Sequence, residues 1–417
     1  MNVKNLILNE KYNNSKNFFE KAKANQIFLK NKKLIDLSLC SGVVFLGHNH
    51  SVFKKSIRNY VKKNISIFSG PNIHAVKLSK TIKYFFPNFE KIIFCNSGSE
   101  SVIKALRISR AINNHPLIIS VTGSWHGSVD QTLFYPNKSL LPKPLSAGLK
   151  LFDKKNLIFI PYNDKDKSKK ILDKYRKKIN CIIVEPIIAS LPSKKSFSYL
   201  KFLENYCKKN NIILIFDEII TGFRSKKGSV QNQLKIKPDI TLIGKILGGG
   251  LPIGAIGISK KIYRKIKKSR LKIFFGGTFS GNTLSTYIGN DVLTFIKNNN
   301  TLLDKLIKNC KIFEKKVNTF ISKENIDAKV FRFDCMLRII FSKEKVYNSI
   351  QRDFFEKKNY QLKSKFEKFL LKKNIYYPPN GIILLSLTTN SKEITYLIKN
   401  ICLGLKKYFK IKKQSLN

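Results

Sequence analysis

The sequence predicts an α/β protein. Its large domain, over 50–295, has a mostly parallel sheet flanked by helices; a smaller α+β domain is assembled from 1–49 and 296–417. Three observations predict this. Six short apolar runs alternate with amphipathic stretches through the middle of the chain. Beyond about residue 300 the texture changes to lysine-rich amphipathic segments interleaved with short strands. The first fifty residues carry too little apolar patterning for a core of their own.

Taken in chain order, 33-KLIDLSL-39 reads as a strand, and with little else before residue 50 this segment is expected to pack onto the C-terminal part. The runs 91-KIIFC-95, 117-LIISV-121, 157-LIFI-160, 181-CIIVEP-186, 212-IILIFDE-218 and 239-DITLIG-244 are β-branched and bounded by turn formers. Continuous apolar strands separated by helical patterns indicate parallel strands covered on both faces. Val102, Ala105, Leu106, Ile108 and Ile112 recur at helical spacing and place a helix start at about Ser99. Toward the C-terminus, 301–320 and 361–373 read as helices, and 329-KVFRF-333, 336-MLRIIF-341 and 382-IILLSL-387 as strands.

With 43% hydrophobic residues the 417-residue chain can bury a sizeable interior. Lys+Arg number 79 against 26 Asp+Glu, a net charge of +53. Such an excess invites a nucleic-acid reading, which predicts steeply salt-dependent binding. Only ten of the basic residues are arginine, the side chain whose planar fork suits phosphate. The lysines are spread over every predicted element beside many asparagines and isoleucines, the look of compositional drift, so neither nucleic acid nor membrane is the expected partner. Seven dispersed cysteines form no CxxC pair and exclude the common zinc and redox spacings. His48 and His50, in Gly47-His48-Asn49-His50, lack further metal ligands nearby and read as a turn. No apolar run approaches the length of a membrane span, and the N-terminus has no signal-peptide pattern, so the chain reads as cytoplasmic.

Ligands of open parallel sheets gather beyond the carboxyl ends of the strands, so the residues just past each apolar run matter most. After Cys95 comes 96-NSGSE-100, a helix start that offers an anion backbone N–H groups and hydroxyls, though an ordinary N-cap explains it as well. After Val121 comes 123-GSWHG-127, with the only tryptophan; its face could meet a planar ligand or the core. The run 212–216 ends in Asp217-Glu218, an acidic pair that needs partners if buried. Lys245 ends another run, and 246-ILGGGLPIGAIG-257 comes next with five glycines. A desolvated lysine becomes a nucleophilic amine, and glycines let backbone approach a ligand. The loop 276-GGTFSGN-282 is a second candidate anion contact. Amine, carboxylate, aromatic face and phosphate cradle together meet the needs of pyridoxal phosphate.

The strings 47-GHNH-50, 96-NSGSE-100, 125-WHG-127, 184-VEP-186, 217-DEIITGFR-224, 238-PDITLIGKILGGGLPIGA-255 and 277-GTFSGN-282 resemble class III (fold type I) pyridoxal-phosphate-dependent aminotransferases. Within that family the resemblance is to the glutamate-1-semialdehyde 2,1-aminomutase branch, and it runs from about residue 34 to 295. It implies amino-group transfer, with the cofactor passing through its pyridoxamine phosphate form. Lys245 would be the Schiff-base lysine and proton carrier, and Asp217 the partner of the pyridine nitrogen. Ile219 and Trp125 would lie on the two ring faces, Ser97, Gly98 and Ser99 at the phosphate, and His126 and Glu185 near the cofactor. Thr278 would reach the phosphate of a neighbouring subunit, which implies a homodimer with shared sites.

The departures lie on the substrate side. The segment 11-KYNNSKNFFEK-21 lacks the arginine that branch carries, 126-HGS-128 replaces His-Gly-His, and 376-YYPPNGIILLSL-387 lacks the usual acidic residue. The loop 135-YPNKSLLPKPLSAGL-149 also differs, whereas Arg224 of Gly-Phe-Arg matches. These differences leave room for a class III aminotransferase acting on another amino donor and a keto or aldehyde acceptor.

Overall fold

A computed structural model describes residues 18–29, 32–269, 272–344 and 346–410. Its central sheet has seven strands, in chain order β1 (Lys91–Cys95), β2 (Leu117–Val121), β3 (Leu157–Ile160), β4 (Ile179–Val184), β5 (Ile213–Asp217), β6 (Ile240–Gly244) and β7 (Gly254–Ile258). They lie side by side in the order β1-β7-β6-β5-β4-β2-β3. The pairs β6–β5, β5–β4, β4–β2 and β2–β3 are parallel. All six apolar runs singled out in the sequence are strands of this sheet, and every residue of β2, β4, β5 and β6 is buried.

The seventh strand departs from the sequence reading. In sequence, residues 246–257 stand out only for glycines that could let backbone approach a ligand, but β7 forms the far end of this stretch and pairs antiparallel with both β6 and β1. Its glycines admit neighbouring protein rather than ligand. A Cβ on Gly254 would stand 2.3 Å from the Ser97 carbonyl oxygen, and one on Gly257 would stand 2.1 Å from the Phe89 ring. With so little side chain, β7 gives almost no apolar periodicity, and only its partners mark it as a strand.

The termini build the rest. Strands Phe19–Lys23, Gln26–Leu29 and Lys32–Asp36 form an antiparallel meander, to which Ile375–Tyr376 adds in parallel beside Lys32–Asp36. The N-terminal segment therefore packs onto the C-terminal part, as its weak patterning implied, although two of its three strands were not foreseen. Strands Lys329–Phe333, Met336–Ile340 and Ile382–Leu384 form a second antiparallel sheet. The run 382–387 is thus a strand over its first half only. Helices Asn300–Lys323 and Tyr360–Lys372 match their predicted spans to within a turn. One buried cluster joins Ile243, Ile246 and Ile288 to Phe313, Leu337 and Leu397, so the central sheet and the C-terminal elements share a core.

This topology gathers the carboxyl ends of β6, β5, β4 and β2 along one side of the sheet, with the turn after β1 beside them. In sequence those ends lead into Lys245, Asp217, Glu185, the 123–127 turn and the 96–100 turn. The glycine of β7 that meets Phe89 tests the strand. Phe89 is buried and stacks on Phe86 with ring centroids 4.8 Å apart, so it cannot swing away. Gly257→Ala is expected to lower stability by about 1–3 kcal/mol, as overpacking does, read as a shift in the urea midpoint with little change in slope.

Candidate active site

Lys245 follows β6 directly and opens the short turn Lys245–Gly248 with φ of +50°. A lysine in left-handed backbone is uncommon and is held there by its surroundings. Its side chain faces a cavity, so it is not wholly shielded, yet protein surrounds it closely enough for burial to lower its proton affinity. Arg224 lowers it further, and the carboxylates of Asp217 and Glu185 act in the opposite direction.

Asp217 is the last residue of β5 and is buried. Its Oδ2 lies 2.8 Å from His126 Nδ1, and its Oδ1 accepts the Ile219 N–H at 3.1 Å. A carboxylate has about four lone-pair sites, so two remain for a ligand. His126 is buried as well, and among the described residues its Nε2 has no hydrogen-bond partner. The structure therefore gives His126 the job of orienting Asp217.

A cavity of about 200 Å³ separates these groups from the turn after β1. Lys245, Asp217 and Glu185 form its polar wall; Ile219, Trp125 and Gly98 stand among the residues facing them. The 16-residue helix Gly98–Asn113 begins here, and the Ser97 hydroxyl caps it by accepting the Glu100 N–H at 3.1 Å. The N–H groups of Gly98 and Ser99 lie in its first turn, where no carbonyl of the helix can reach them. Gly98 is needed for closeness, because a Cβ there would stand 2.7 Å from Ile219 Cδ1. The Ser99 hydroxyl accepts the Ser128 N–H at 3.1 Å, and Gly127, at φ of +76°, leaves room for it.

Glu185 is tied to the same turn. Its Oε1 accepts the Trp125 N–H at 2.7 Å and its Oε2 the Ala189 N–H at 3.2 Å. Burial, then the charge of Asp217, pushes its carboxyl up to about 7 despite those hydrogen bonds. Trp125 itself is 55% exposed and borders the cavity. Glu218, the other half of the acidic pair, serves the fold: it accepts from Val230 N, Gln231 N and Thr221 Oγ1 at 2.8–2.9 Å. Arg224 is fully buried against the Ile220 and Gly42 carbonyls and lies over the Phe45 ring. His50 caps the helix Ser51–Lys62 and His48 pairs with Asp36 at 2.9 Å.

Of the residues singled out in the sequence, Gly98, Ser99, Trp125, Glu185, Asp217, Ile219 and Lys245 border one cavity. Ser97 and His126 act one step behind it. Thr278 lies on an exposed turn outside this lining. Sequence reasoning missed a second cavity of about 1030 Å³ that shares Lys245, Glu185, Trp125 and Ile220 with the first. Arg338, Arg352 and Ser190 also line it, and the hairpin Phe134–Pro136 with Pro142–Pro144 borders it. The available signal was the rarity of arginine in a chain whose basic residues are nearly all lysine.

The family model for class III aminotransferases matches residues 7–358. The chain belongs to that family. Curated glutamate-1-semialdehyde 2,1-aminomutases are similar along most of its length. That of Methanocaldococcus jannaschii is 33% identical over 373 residues, covering 87% of this chain and 84% of the relative. That of Wigglesworthia glossinidia brevipalpis is 35% identical over 352 residues, covering 81% and 79%. Among solved structures, an omega-transaminase from Sphaerobacter thermophilus superposes with a TM-score of 0.84 at 21% identity, over 94% of this chain and 91% of that one. A glutamate-1-semialdehyde aminomutase from Pseudomonas aeruginosa PAO1, in complex with PMP, also reaches 0.84 at 15% identity, over 94% and 88%. The fold is therefore that of the fold type I enzymes, and the chain is a pyridoxal-phosphate-dependent enzyme of the aminomutase-like kind. Among the described residues no helix is long and apolar enough to cross a membrane.

The raised carboxyl of Glu185 gives this class III aminotransferase a pH signature. The folded protein holds the Glu185 proton up to about 7, whereas the unfolded chain releases it near the ordinary value of 4.5. Stability from this group is fully present below 4.5 and is lost as pH rises through 7. With no cofactor added, wild type is expected to lose stability relative to Glu185→Gln across that window, and the difference to level off above it. Urea midpoints of the two proteins, measured in parallel across the range, check this; a difference that does not change with pH contradicts it.

Proposed function

We propose that the smaller cavity holds pyridoxal phosphate and that the protein moves an amino group as an aminomutase-like enzyme, with glutamate 1-semialdehyde as the first substrate to test. The observation that carries this reading is a lysine amine of lowered proton affinity sharing one cavity with an anchored aspartate, opposite a helix start.

The residues fit the cofactor. The first-turn N–H groups of Gly98 and Ser99, at the positive end of the helix dipole, would hold the phosphate. Ser97 would act by fixing that helix end. Ile219 would pack against one ring face, and the exposed side of Trp125 is available to the other. When bound, the cofactor supplies an electron sink for the carbanion left when a proton leaves the substrate Cα. Asp217, held by His126 and Ile219 N, would face the ring nitrogen and keep it protonated. Lys245 Nζ would hold the cofactor aldehyde and, once released by an incoming amine, take the Cα proton and later return it. Burial favours the neutral amine that this step needs.

A homodimer completes the reading. Phe68, Ile73, Phe274 and Phe279 are between 51% and 70% exposed in the single chain, Phe274 the most. Their two loops meet where Asn72 Nδ2 donates to the Gly281 carbonyl at 2.9 Å. An apolar patch of this kind marks a protein interface. Thr278 sits within it, free to approach the phosphate of the neighbouring subunit.

Two measurements test the assignment. Borohydride reduction of the protein with pyridoxal phosphate is expected to fix the cofactor on Lys245; label on another lysine, or protein that stays colourless, overturns it. Asp217→Asn is expected to keep the cofactor bound while slowing the amino-donor half-reaction by about 10² or more. Supplied with glutamate 1-semialdehyde, the pyridoxamine form should return one isomeric product with no keto acid released. Release of a keto acid from an amino donor would instead identify a two-substrate aminotransferase.

A further inference from the structure

The larger cavity has a charged end that the chemistry at Lys245 does not use. Among the described residues three arginines are buried: Arg224, Arg338 and Arg352. Two of them, Arg338 and Arg352, line this cavity, and Lys245 lines it as well. Burying a guanidinium is costly unless its hydrogen bonds are met, so the partners of each tell what it is for.

Arg338 is held by the protein through both terminal nitrogens, while its Nε has no hydrogen-bond partner among the described residues. It donates to the Asn380 carbonyl and to Glu356, whose side chain is only 18% exposed and also faces Lys363 at 3.9 Å. This pair locks the helix Ser349–Lys358 to the second sheet. Arg352 differs. Its Nη1 donates to Ser190 Oγ, which fixes the guanidinium against the segment after β4. Its Nε and Nη2 meet Asp353 Oδ1 at 2.8 and 2.6 Å. Asp353 is the adjacent residue and its side chain is 64% exposed, against 10% for Arg352. An exposed carboxylate of this kind contributes little and gives way easily, whereas the guanidinium is already desolvated and oriented.

The position is right for a substrate. Ser190 lies five residues beyond Glu185 in the same segment, and Ala189 N is bound to Glu185 Oε2. The helix that carries Arg352 presses on the turn before Trp125: a Cβ on Gly123 would stand 2.6 Å from Ser349 Cβ. Arg352 is one helical turn from Ser349.

We propose that Arg352, seated on Ser190, is the specificity-determining residue of the larger cavity and pairs through its Nε–Nη2 edge with a carboxylate carried by the substrate away from its reacting amine. Asp353 occupies that edge in the absence of substrate and marks a carboxylate as the group that fits. The inference rests on the proposed chemistry at Lys245 for what the substrate's other end does, but the binding itself is separable from it.

Calorimetric titration of the holoenzyme with glutarate, and with inorganic phosphate for comparison, tests the binding without turnover. Glutarate should bind; Arg352→Gln should weaken it about tenfold or more, and Asp353→Asn, a surface change, should tighten it. Equal glutarate affinity in wild type and Arg352→Gln, or no tightening in Asp353→Asn, overturns the proposal. Phosphate binding more tightly than glutarate overturns the carboxylate assignment. With 5-aminopentanoate and pentylamine as amino donors, the ratio of their kcat/KM values should fall about tenfold in Arg352→Gln; an unchanged ratio contradicts it. If neither amine changes the colour of the wild-type cofactor, the chemistry assigned to Lys245 fails, and the glutarate titration still decides the role of Arg352.

Discussion

The site depends on keeping a lysine amine largely out of bulk water at the end of a buried strand. Burial lowers the proton affinity of Lys245, and opposite charge nearby raises it. Here both act: Asp217 and Glu185 lie near enough to oppose the desolvation, while Arg224 adds to it. An amine balanced in this way can be both nucleophile and proton carrier. The flanking strands β5 and β7 hold β6 on both sides, so the backbone that delivers Lys245 cannot drift. The left-handed turn at Lys245 is the local cost of aiming its side chain back across the strand ends.

The other walls are fixed by cross-links between turns rather than by any one element. Trp125 N–H on Glu185 ties the turn after β2 to the end of β4, and Ser128 N–H on Ser99 ties it to the helix start after β1. His126, between those two links, holds Asp217 at the end of β5. Four strand ends are thus sewn together by the turn 123-GSWHG-127 and the residue that follows it, Ser128. Glycines at both ends of that turn have positive φ, +92° at Gly123 and +76° at Gly127. Ser349 and Ser99 crowd these same glycines, so the turn needs both small size and unusual backbone.

Much of this was legible because strand ends in a parallel sheet are also site positions. Each apolar run announced a strand, and the ends of three of them carry Glu185, Asp217 and Lys245, which border the pocket. Residues whose role comes from contacts far along the chain were less legible. Nothing local in Gly254-Ala-Ile-Gly-Ile shows that Ser97 and Phe89 will press on its glycines, so β7 is not among the strands the sequence predicts. Glu218 looks as notable as Asp217 in sequence, yet its carboxylate closes onto the Val230 turn twelve residues on. The meander of residues 19–36 was hidden because its first strand is mostly exposed and so carries little apolar signal.

Charge shows the same division between local and distant causes. A surplus of +53 suggests a polyanion partner, but lysines such as Lys169, Lys208 and Lys406 sit on helix faces with 46–64% of their side chains exposed. Solvated lysines on every face set solubility and nonspecific attraction, and do not build a site. Arginine was the informative residue because replacing it with lysine loses the planar fork. In a chain that uses lysine nearly everywhere else, three arginines among the described residues are buried, each on a specific oxygen: Arg224 on the Gly42 carbonyl, Arg338 on Glu356 and Arg352 on Ser190. The first ties the N-terminal segment to the turn after β5, and the second ties the helix Ser349–Lys358 to the second sheet. The third has only a solvent-exposed neighbour for its Nε–Nη2 edge, and it lines the larger cavity that Lys245 also lines.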